Sequence, residues 1–319
     1  MEILGYDEDA LTFLQEWKNP SCTVAAHTSG STGKPKPILL NKNDMRVSAS
    51  ATCRYFGIEK SDLLFLPLRP SYIAGKMMIV RADVADADLL VEIPSNSPLR
   101  QRPPRRIKLA AIVPSQIPGL LESGNAGMIE QTIIGGAQIS SVYEQMILSA
   151  GIEAYATYGM TETCSHVALR KLGAKAYNAL PHVEFSIDCR GCLVIHSATM
   201  SFGNLVTNDI VRLIDSKSFE WLGRYDNVIN SGGIKLYPEA IEQKISTVLS
   251  GREFYVGSHP DEKWGNRVVL YIEGKAHIAD LSLMLGSVLD KTEIPKEIVY
   301  IDRFERTSSG KIIRIRPET

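Results

Sequence analysis

His27-Thr-Ser-Gly-Ser-Thr-Gly-Lys-Pro-Lys36 packs two glycines, four hydroxyl side chains and two lysines into ten positions directly after the apolar run Thr23-Val-Ala-Ala26. Glycine lets backbone N–H groups turn inward toward an anion, hydroxyls add donors and lysine adds charge, so a strand followed by this loop suits a polyphosphate. A plain linker has no need of such a density of donors beside a strand. The Walker A spacing is excluded. It requires Gly, four residues and then Gly-Lys-Ser/Thr, whereas Gly33-Lys34 is followed by Pro35 and Thr28 stands where the first glycine would be.

Outward from this loop, strand-like runs (Leu63-Leu-Phe-Leu66, Ala110-Ala-Ile-Val113, Gln131-Thr-Ile-Ile134) alternate with helix-length stretches such as Ser140 to Ala150. That pattern predicts parallel α/β layering to about residue 180. Short strands then follow closely at 184–187, 193–196, 203–206, 211–214 and 219–222, which predicts a twisted, largely antiparallel sheet. Beyond Gly223 a helix is expected over Pro238 to Leu249, with proline at its first position and Ile241, Ile245, Val248 and Leu249 on one face. The Pro/Arg-rich stretch 97–106 reads as an exposed loop.

The 319 residues suffice for one large and one smaller domain, and Lys+Arg 35 against Asp+Glu 36 leaves a formal charge of -1. No global field draws the chain to nucleic acid or anionic lipid, and small-molecule substrates fit better. Five scattered cysteines and an N-terminus without a basic, apolar leader predict a cytoplasmic protein with reduced thiols and no membrane span. Cys189-Arg-Gly-Cys192 lacks the second pair a zinc site needs and reads as a hairpin turn.

Four further segments follow the loop along the chain: Gly135-Gly-Ala137, Tyr158-Gly-Met-Thr-Glu-Thr163, Asp209 with Gly223-Arg-Tyr-Asp226, and Thr307-Ser-Ser-Gly-Lys311. Together with Ser29-Gly-Ser-Thr-Gly-Lys-Pro-Lys36 they resemble the adenylate-forming superfamily of acyl-CoA synthetases, peptide-synthetase adenylation domains and luciferases. The resemblance implies an α/β adenylate-forming enzyme fold: a large N-terminal α/β domain over residues 1–225 and a small, mobile α+β domain over 226–319. Only 27 residues precede Thr28, so most of the usual N-terminal subdomain is expected to be absent, leaving an apolar edge that a second subunit could cover as a homodimer.

The resemblance implies an ATP-dependent acid–CoA ligase working through an acyl-adenylate, with ATP, Mg²⁺ and coenzyme A. Thr28, Ser29, Gly30, Ser31, Thr32, Gly33, Lys34 and Lys36 would hold the β,γ-phosphates and the leaving pyrophosphate. Gly135, Gly136 and Ala137 would line the adenine, with Tyr158 stacked on it beside Gly159. Thr161 would contact the α-phosphate and Glu162 would ligate Mg²⁺. Asp209 would accept both ribose hydroxyls, as an acceptor-only side chain suits a diol, and Arg224 would support ribose and phosphate. The family more often has glycine before this aspartate, where Asn208 stands here. Asp226 occupies the place of the interdomain hinge. Lys311 would orient the carboxylate during adenylation, while Asn230-Ser-Gly-Gly-Ile-Lys235, with Gly232 and Gly233, matches the loop bordering the thiol channel.

The acyl pocket is expected among Ile73, Ala74, Gly75, Lys76, Arg81 and Met160, with Thr163 to His166. Lys76 and Arg81 are two bases near an apolar segment, suited to a second anionic group on the substrate. The segments around Ile73-Ala-Gly75, Arg81 and Tyr158 to His166 are similar to the o-succinylbenzoate–CoA ligases of menaquinone biosynthesis, whose substrate carries two carboxylates. Two alternatives stand beside this: a stand-alone adenylation enzyme loading another acid onto CoA or a carrier protein, and an inactive nucleotide-binding regulator.

Overall fold

In the computed structural model the described residues are 1–27, 37–249, 251–274, 278, 280–306 and 312–314. The strands among them are β1 (Ile3–Leu4), β2 (Thr23–His27), β3 (Pro37–Asn41), β4 (Leu63–Leu66), β5 (Asp88–Val91), β6 (Ile107–Ile112), β7 (Ile129–Ile134), β8 (Glu153–Gly159), β9 (His166–Lys171), β10 (Tyr177–Ala179), β11 (Glu184–Ile187), β12 (Cys192–His196), β13 (Asn204–Asp215), β14 (Ser218–Arg224), β15 (Ile229–Ser231), β16 (Ile234–Leu236), β17 (Phe254–Asp261), β18 (Gly265–Glu273) and β19 (Glu297–Ile301). The helices are α1 (Glu8–Lys18), α2 (Lys42–Phe56), α3 (Ile73–Ala85), α4 (Ile117–Glu122), α5 (Ser141–Ser149), α6 (Pro238–Ile245) and α7 (Leu281–Val288).

Twelve strands form one sheet in the order β1-β5-β4-β6-β7-β8-β9-β10-β14-β13-β12-β11. Neighbours from β1 to β8 are parallel, and every pairing from β8 onward is antiparallel. The switch therefore comes at Gly159, earlier than the expected boundary near residue 180. The parallel and antiparallel halves are also one continuous sheet, because β9 folds straight back onto β8 after the turn at 160–165. Two expected strands, 203–206 and 211–214, are one strand, β13, which absorbs its mismatch with β12 and β14 in bulges. Cys189 and Cys192 lie in the β11–β12 hairpin, as read, and all five cysteines are free.

Helices cover both faces of the parallel half. In β4, a fully buried strand, Leu64 and Leu66 pack with Phe13, Trp17, Met45 and Met77 of α1 to α3, while Leu63 and Phe65 pack with Ile117, Leu120 and Ile147 of α4 and α5. Burial on both faces is what turns a period-2 strand into a continuous apolar run, each such side chain contributing about 1.5–3 kcal/mol. Trp17 Nε1 donates to Asp83 Oδ2 at 2.9 Å, tying α1 to α3, and Lys42 Nζ donates to the carbonyls of Glu16 and Asn19 at the end of α1.

The C-terminal part has its own core. Ile241 and Ile245 of α6 and Leu281 and Leu285 of α7 pack on Val256, Val268, Leu270 and Ile272 of the β17-β18-β19 sheet. The structure is thus a large mixed sheet with a small C-terminal sheet domain. Helix α6 ends at Ile245, a turn earlier than expected, with Leu249 still buried. Among the described residues no helix is long and apolar enough to cross a membrane.

Candidate active site

The parallel strands β7 and β8 end side by side, and open parallel sheets bind ligands at the carboxyl ends of their strands. Gly135 follows β7 directly, and a Cβ there would lie 2.5 Å from Thr157 Oγ1 of β8. Gly136 takes φ +83°, so the chain turns away with Gly136 and Ala137 exposed. Tyr158 and Gly159 end β8. Thr161 is buried and Glu162 exposed on the short turn that follows.

Asp209 on β13 joins this edge from the antiparallel half. Its register partner across the strand pair is Arg224 of β14, whose Nη1 lies 3.4 Å from Oδ1. Tyr158 Oη donates to Asp209 Oδ2 at 2.8 Å and Trp221 Nε1 to Oδ1 at 3.2 Å. Burial first, and then the Asp209 carboxylate, push the Tyr158 phenol well above its usual range, so it stays a donor. Tyr158 also meets Phe219 edge-on, ring centroids 5.0 Å apart. The sequence brought together here as expected is Tyr158, Asp209 and Arg224; Trp221 was not singled out, because only the β13–β14 register places it beside Asp209.

No cluster of three or more His, Cys, Asp or Glu forms a metal cage among the described residues. A magnesium ion keeps several waters and binds through one or two carboxylates plus substrate phosphates, so the exposed carboxylate of Glu162 fits it without such a cage.

Arg81, on α3, is 1% exposed and has no carboxylate partner among the described residues. Its Nη2 donates to Ser165 Oγ at 2.6 Å and lies 3.5 Å from His166 Nδ1, Nη1 contacts Met78 Sδ, and Nε is buried with no partner. Burial lowers its pKa to about 10, which leaves the guanidinium charged at neutral pH. The histidine tautomer follows from the network. Thr52 Oγ1 gives its one proton to the Ser48 carbonyl, so His166 Nε2, 3.1 Å away, carries a hydrogen and donates to Thr52. Nδ1 is then an acceptor for Ser165 and Arg81. Burial, then Arg81, hold His166 well below its usual pKa, consistent with that neutral ring.

Gly159 joins the two halves of the site. A Cβ there would lie 2.3 Å from the Ser165 carbonyl oxygen and 2.5 Å from His166 Cα, both backbone. Gly159→Ala is expected to cost about 3 kcal/mol, read as a lowered urea midpoint, because backbone cannot give way as a flexible side chain can; an unchanged midpoint contradicts the close approach.

Histidine burial sets a pH dependence. His166 and His182 are both held below the ordinary histidine pKa, chiefly by burial. The unfolded chain takes up a proton below about pH 6.5 that the native state refuses, so stability is present above that pH and falls as pH drops, at up to about 1.4 kcal/mol per unit for each group. Urea unfolding at pH 7.5 and 5.5 is expected to show this slope, reduced in His166→Gln. A slope unchanged by that substitution counts against His166 as its source.

The structure separates Lys76 from Arg81. Lys76 Nζ sits 3.5 Å from Glu16 Oε2 and 4.1 Å from the Phe13 ring centroid, facing α1. Gly75 abuts the backbone of Arg69 and Pro70, Ile73 packs against the helical core, Ala74 is exposed, and Met160 packs beside β9. Asp226 lies half exposed on the turn Tyr225–Asn227, 3.9 Å from Arg224 Nη2. Gly232 and Gly233 form the β15–β16 turn against Trp264. The phosphate loop, Thr28, Ser29, Gly30, Ser31, Thr32, Gly33, Lys34 and Lys36, and also Lys311 lie outside the described residues.

Against known proteins, a family model described as AMP-binding enzyme matches residues 8–201. A solved acyl-CoA synthetase (AMP-forming)/AMP-acid ligase II-like protein from Dyadobacter fermentans is 34% identical, over 95% of this chain and 91% of that one, with a TM-score of 0.65. The 2-succinylbenzoate–CoA ligase of Listeria monocytogenes is 25% identical over 337 residues, 97% of this chain and 72% of the relative. The o-succinylbenzoate CoA synthetase of Bacillus subtilis, solved with its acyl-adenylate intermediate, superimposes with a TM-score of 0.78 at 21% identity over 91% of this chain and 67% of that one, a likeness of fold.

Proposed function

The chain belongs to the AMP-binding enzyme family, and from that premise we propose that it is an AMP-forming acid–CoA ligase that converts o-succinylbenzoate to its CoA thioester through an acyl-adenylate. The observation that carries the substrate is Arg81: a buried, charged guanidinium with no carboxylate partner and no partner for its Nε among the described residues, next to the Gly159 edge where Tyr158 and Asp209 meet. A buried charge is costly unless paired, so the free fork favours an acid with a second carboxylate over a monocarboxylate.

In this reading the ATP ribose lies on Asp209, whose remaining lone pairs accept the diol while Tyr158 and Trp221 hold the carboxylate in place. Gly135 to Ala137 and Tyr158 border the adenine, Arg224 supports ribose and phosphate, and Thr161 contacts the α-phosphate. Residues 28–36 take the β,γ-phosphates. Magnesium, held through Glu162, would neutralise phosphate charge. Lys311 orients the substrate carboxylate for attack on the α-phosphorus, expelling pyrophosphate. The second half-reaction follows rotation at Asp226 between domains 1–225 and 226–319, which brings Gly232 and Gly233 to the thiol channel. The setting is cytoplasmic, matching five free cysteines, and a homodimer belongs to the proposal; a monomeric mass by light scattering across concentrations would remove it.

Pyrophosphate release with ATP and Mg²⁺ tests the reading across o-succinylbenzoate, benzoate, acetate, a medium-chain fatty acid and amino acids, with and without CoA. Turnover with o-succinylbenzoate plus CoA supports it. Turnover only with a phosphopantetheinylated protein favours the carrier-loading alternative, and silence across the panel favours the inactive one.

A further inference from the structure

Strand β13 does not run straight to Asp209. Against β12, Cys192 stands opposite Ile210 and Val194 opposite Val206, so Leu193 alone faces Thr207, Asn208 and Asp209. That is a bulge, which re-aims the side chains on it and leaves backbone groups off the ladder. Thr207 and Asn208 have no register partner in β12 or β14 among the described residues, so their hydrogen bonds must go elsewhere. Two stay within the strand pair. Thr207 Oγ1 donates to the Leu193 carbonyl at 2.9 Å and accepts the Asp209 N–H at 3.0 Å.

The other hold comes from Arg190, in the turn of the β11–β12 hairpin. Its Nη2 donates to the Thr207 carbonyl at 3.2 Å and its Nη1 to the Asn208 side-chain oxygen at 3.1 Å. Its Nε donates to Asp188 Oδ2 at 2.8 Å, while Asp188 Oδ1 accepts the N–H groups of Arg190 and Cys192 at 2.8 and 2.9 Å. The guanidinium also lies over the Tyr225 ring, 5.2 Å from its centroid. The planar fork is thus used on every side: Nε by the hairpin, both Nη atoms by the bulge and one face by the neighbour of Arg224. The Arg190 side chain is 34% exposed, and an ion pair open to that degree contributes little to stability. Its two Nη bonds nevertheless leave the hairpin and end one and two residues before Asp209.

Resting on the reading of Asp209 as the ribose acceptor, we propose that Arg190 is a positioning residue for the nucleotide: it clamps the 207–208 bulge so that the Asp209 carboxylate keeps one direction toward the ribose diol. Tyr158 and Trp221 steer the carboxylate oxygens, and Arg190 fixes the backbone from which they project. Arg190 itself touches neither ribose nor phosphate.

Calorimetric Kd values for ATP, 2′-deoxy-ATP and 3′-deoxy-ATP, each with Mg²⁺, test this with no acid substrate present. The deoxy nucleotides lack one hydroxyl of the diol, so the ratio of their Kd to that of ATP reads how well Asp209 is placed. The parent is expected to prefer ATP about 10-fold or more, the range of a hydrogen bond to a charged group. Arg190→Met is expected to cut that preference about threefold or more, with the urea midpoint of the parent. Arg190→Lys, which keeps the charge without the fork, and Asn208→Ala, which removes one of the two bulge bonds, are expected to fall between. In an Asp209→Asn background Arg190→Met should lower the preference no further, the mark of two residues acting as one unit. An unchanged preference in Arg190→Met, an equal weakening of all three nucleotides, or a further loss in the Asp209→Asn background would overturn the positioning role. A parent that binds the three nucleotides equally, or an Asp209→Asn protein that keeps the preference, would instead strike the reading of Asp209, and the positioning role with it.

Discussion

Arg81→Met is expected to lower kcat/KM for o-succinylbenzoate about 100-fold while leaving benzoate turnover, however slow, at the parent's rate. Arg81 is 1% exposed and among the described residues its donors reach only Ser165, His166 and a thioether, so an incoming carboxylate finds a charged fork with capacity to spare. Charge-assisted hydrogen bonds contribute roughly 1.5–3 kcal/mol each, and ~2.8 kcal/mol corresponds to ~100-fold. A substrate without the second carboxylate loses nothing when the fork is removed, so the two acids separate the role from a general disturbance. Stability should move the other way. An unpaired buried cation is costly and methionine fills a similar volume, so the urea midpoint of Arg81→Met is expected to equal or exceed the parent's. A fall in both activities together with the midpoint would make Arg81 a structural residue.

Lys311→Ala is expected to slow acyl-adenylate formation about 100-fold or more, with thioester formation from supplied adenylate within twofold. Charge that develops at the α-phosphate during attack loses a preorganised cation, and removing one such donor typically costs 10²–10³ in kcat. Equal losses in both half-reactions would show that the lysine serves something common to them, such as the placing of the small domain.

The grouping of Tyr158, Asp209 and Arg224 at one sheet edge was legible because each sits in a short local motif. Gly135-Gly136, Tyr158-Gly159 and Asp209 with Arg224 each end a strand or face one another across a strand pair, so local spacing carried the geometry. The surroundings of Arg81 were less so. Arg81 was singled out, but its partner His166 is 85 residues downstream, and that ring is held by Thr52, 114 residues before it in the chain. Lys76 drew the same expectation as Arg81, yet the helix turns it toward Glu16. Helix α3 itself escaped periodicity because Gly75 to Ala82 are all buried, and a helix covered on every side has no polar stripe to betray it. The continuous twelve-stranded sheet was likewise hidden, since short alternating strands specify pairing partners only once the turn at 160–165 returns β9 onto β8. The hold of Arg190 on Asn208, 18 residues away, has no local signature at all.

A chain that makes an acyl-adenylate from o-succinylbenzoate and then passes the acyl group to a thiol must hold the adenylate between two chemical steps. Mass spectrometry of a single-turnover mixture tests it most directly: enzyme, ATP, Mg²⁺ and o-succinylbenzoate, sampled before and after CoA is added. The expected result is o-succinylbenzoyl-adenylate bound to the protein before CoA, replaced by o-succinylbenzoyl-CoA and free AMP afterwards. Release of ADP and phosphate, or a CoA thioester formed with no adenylate preceding it, would contradict it.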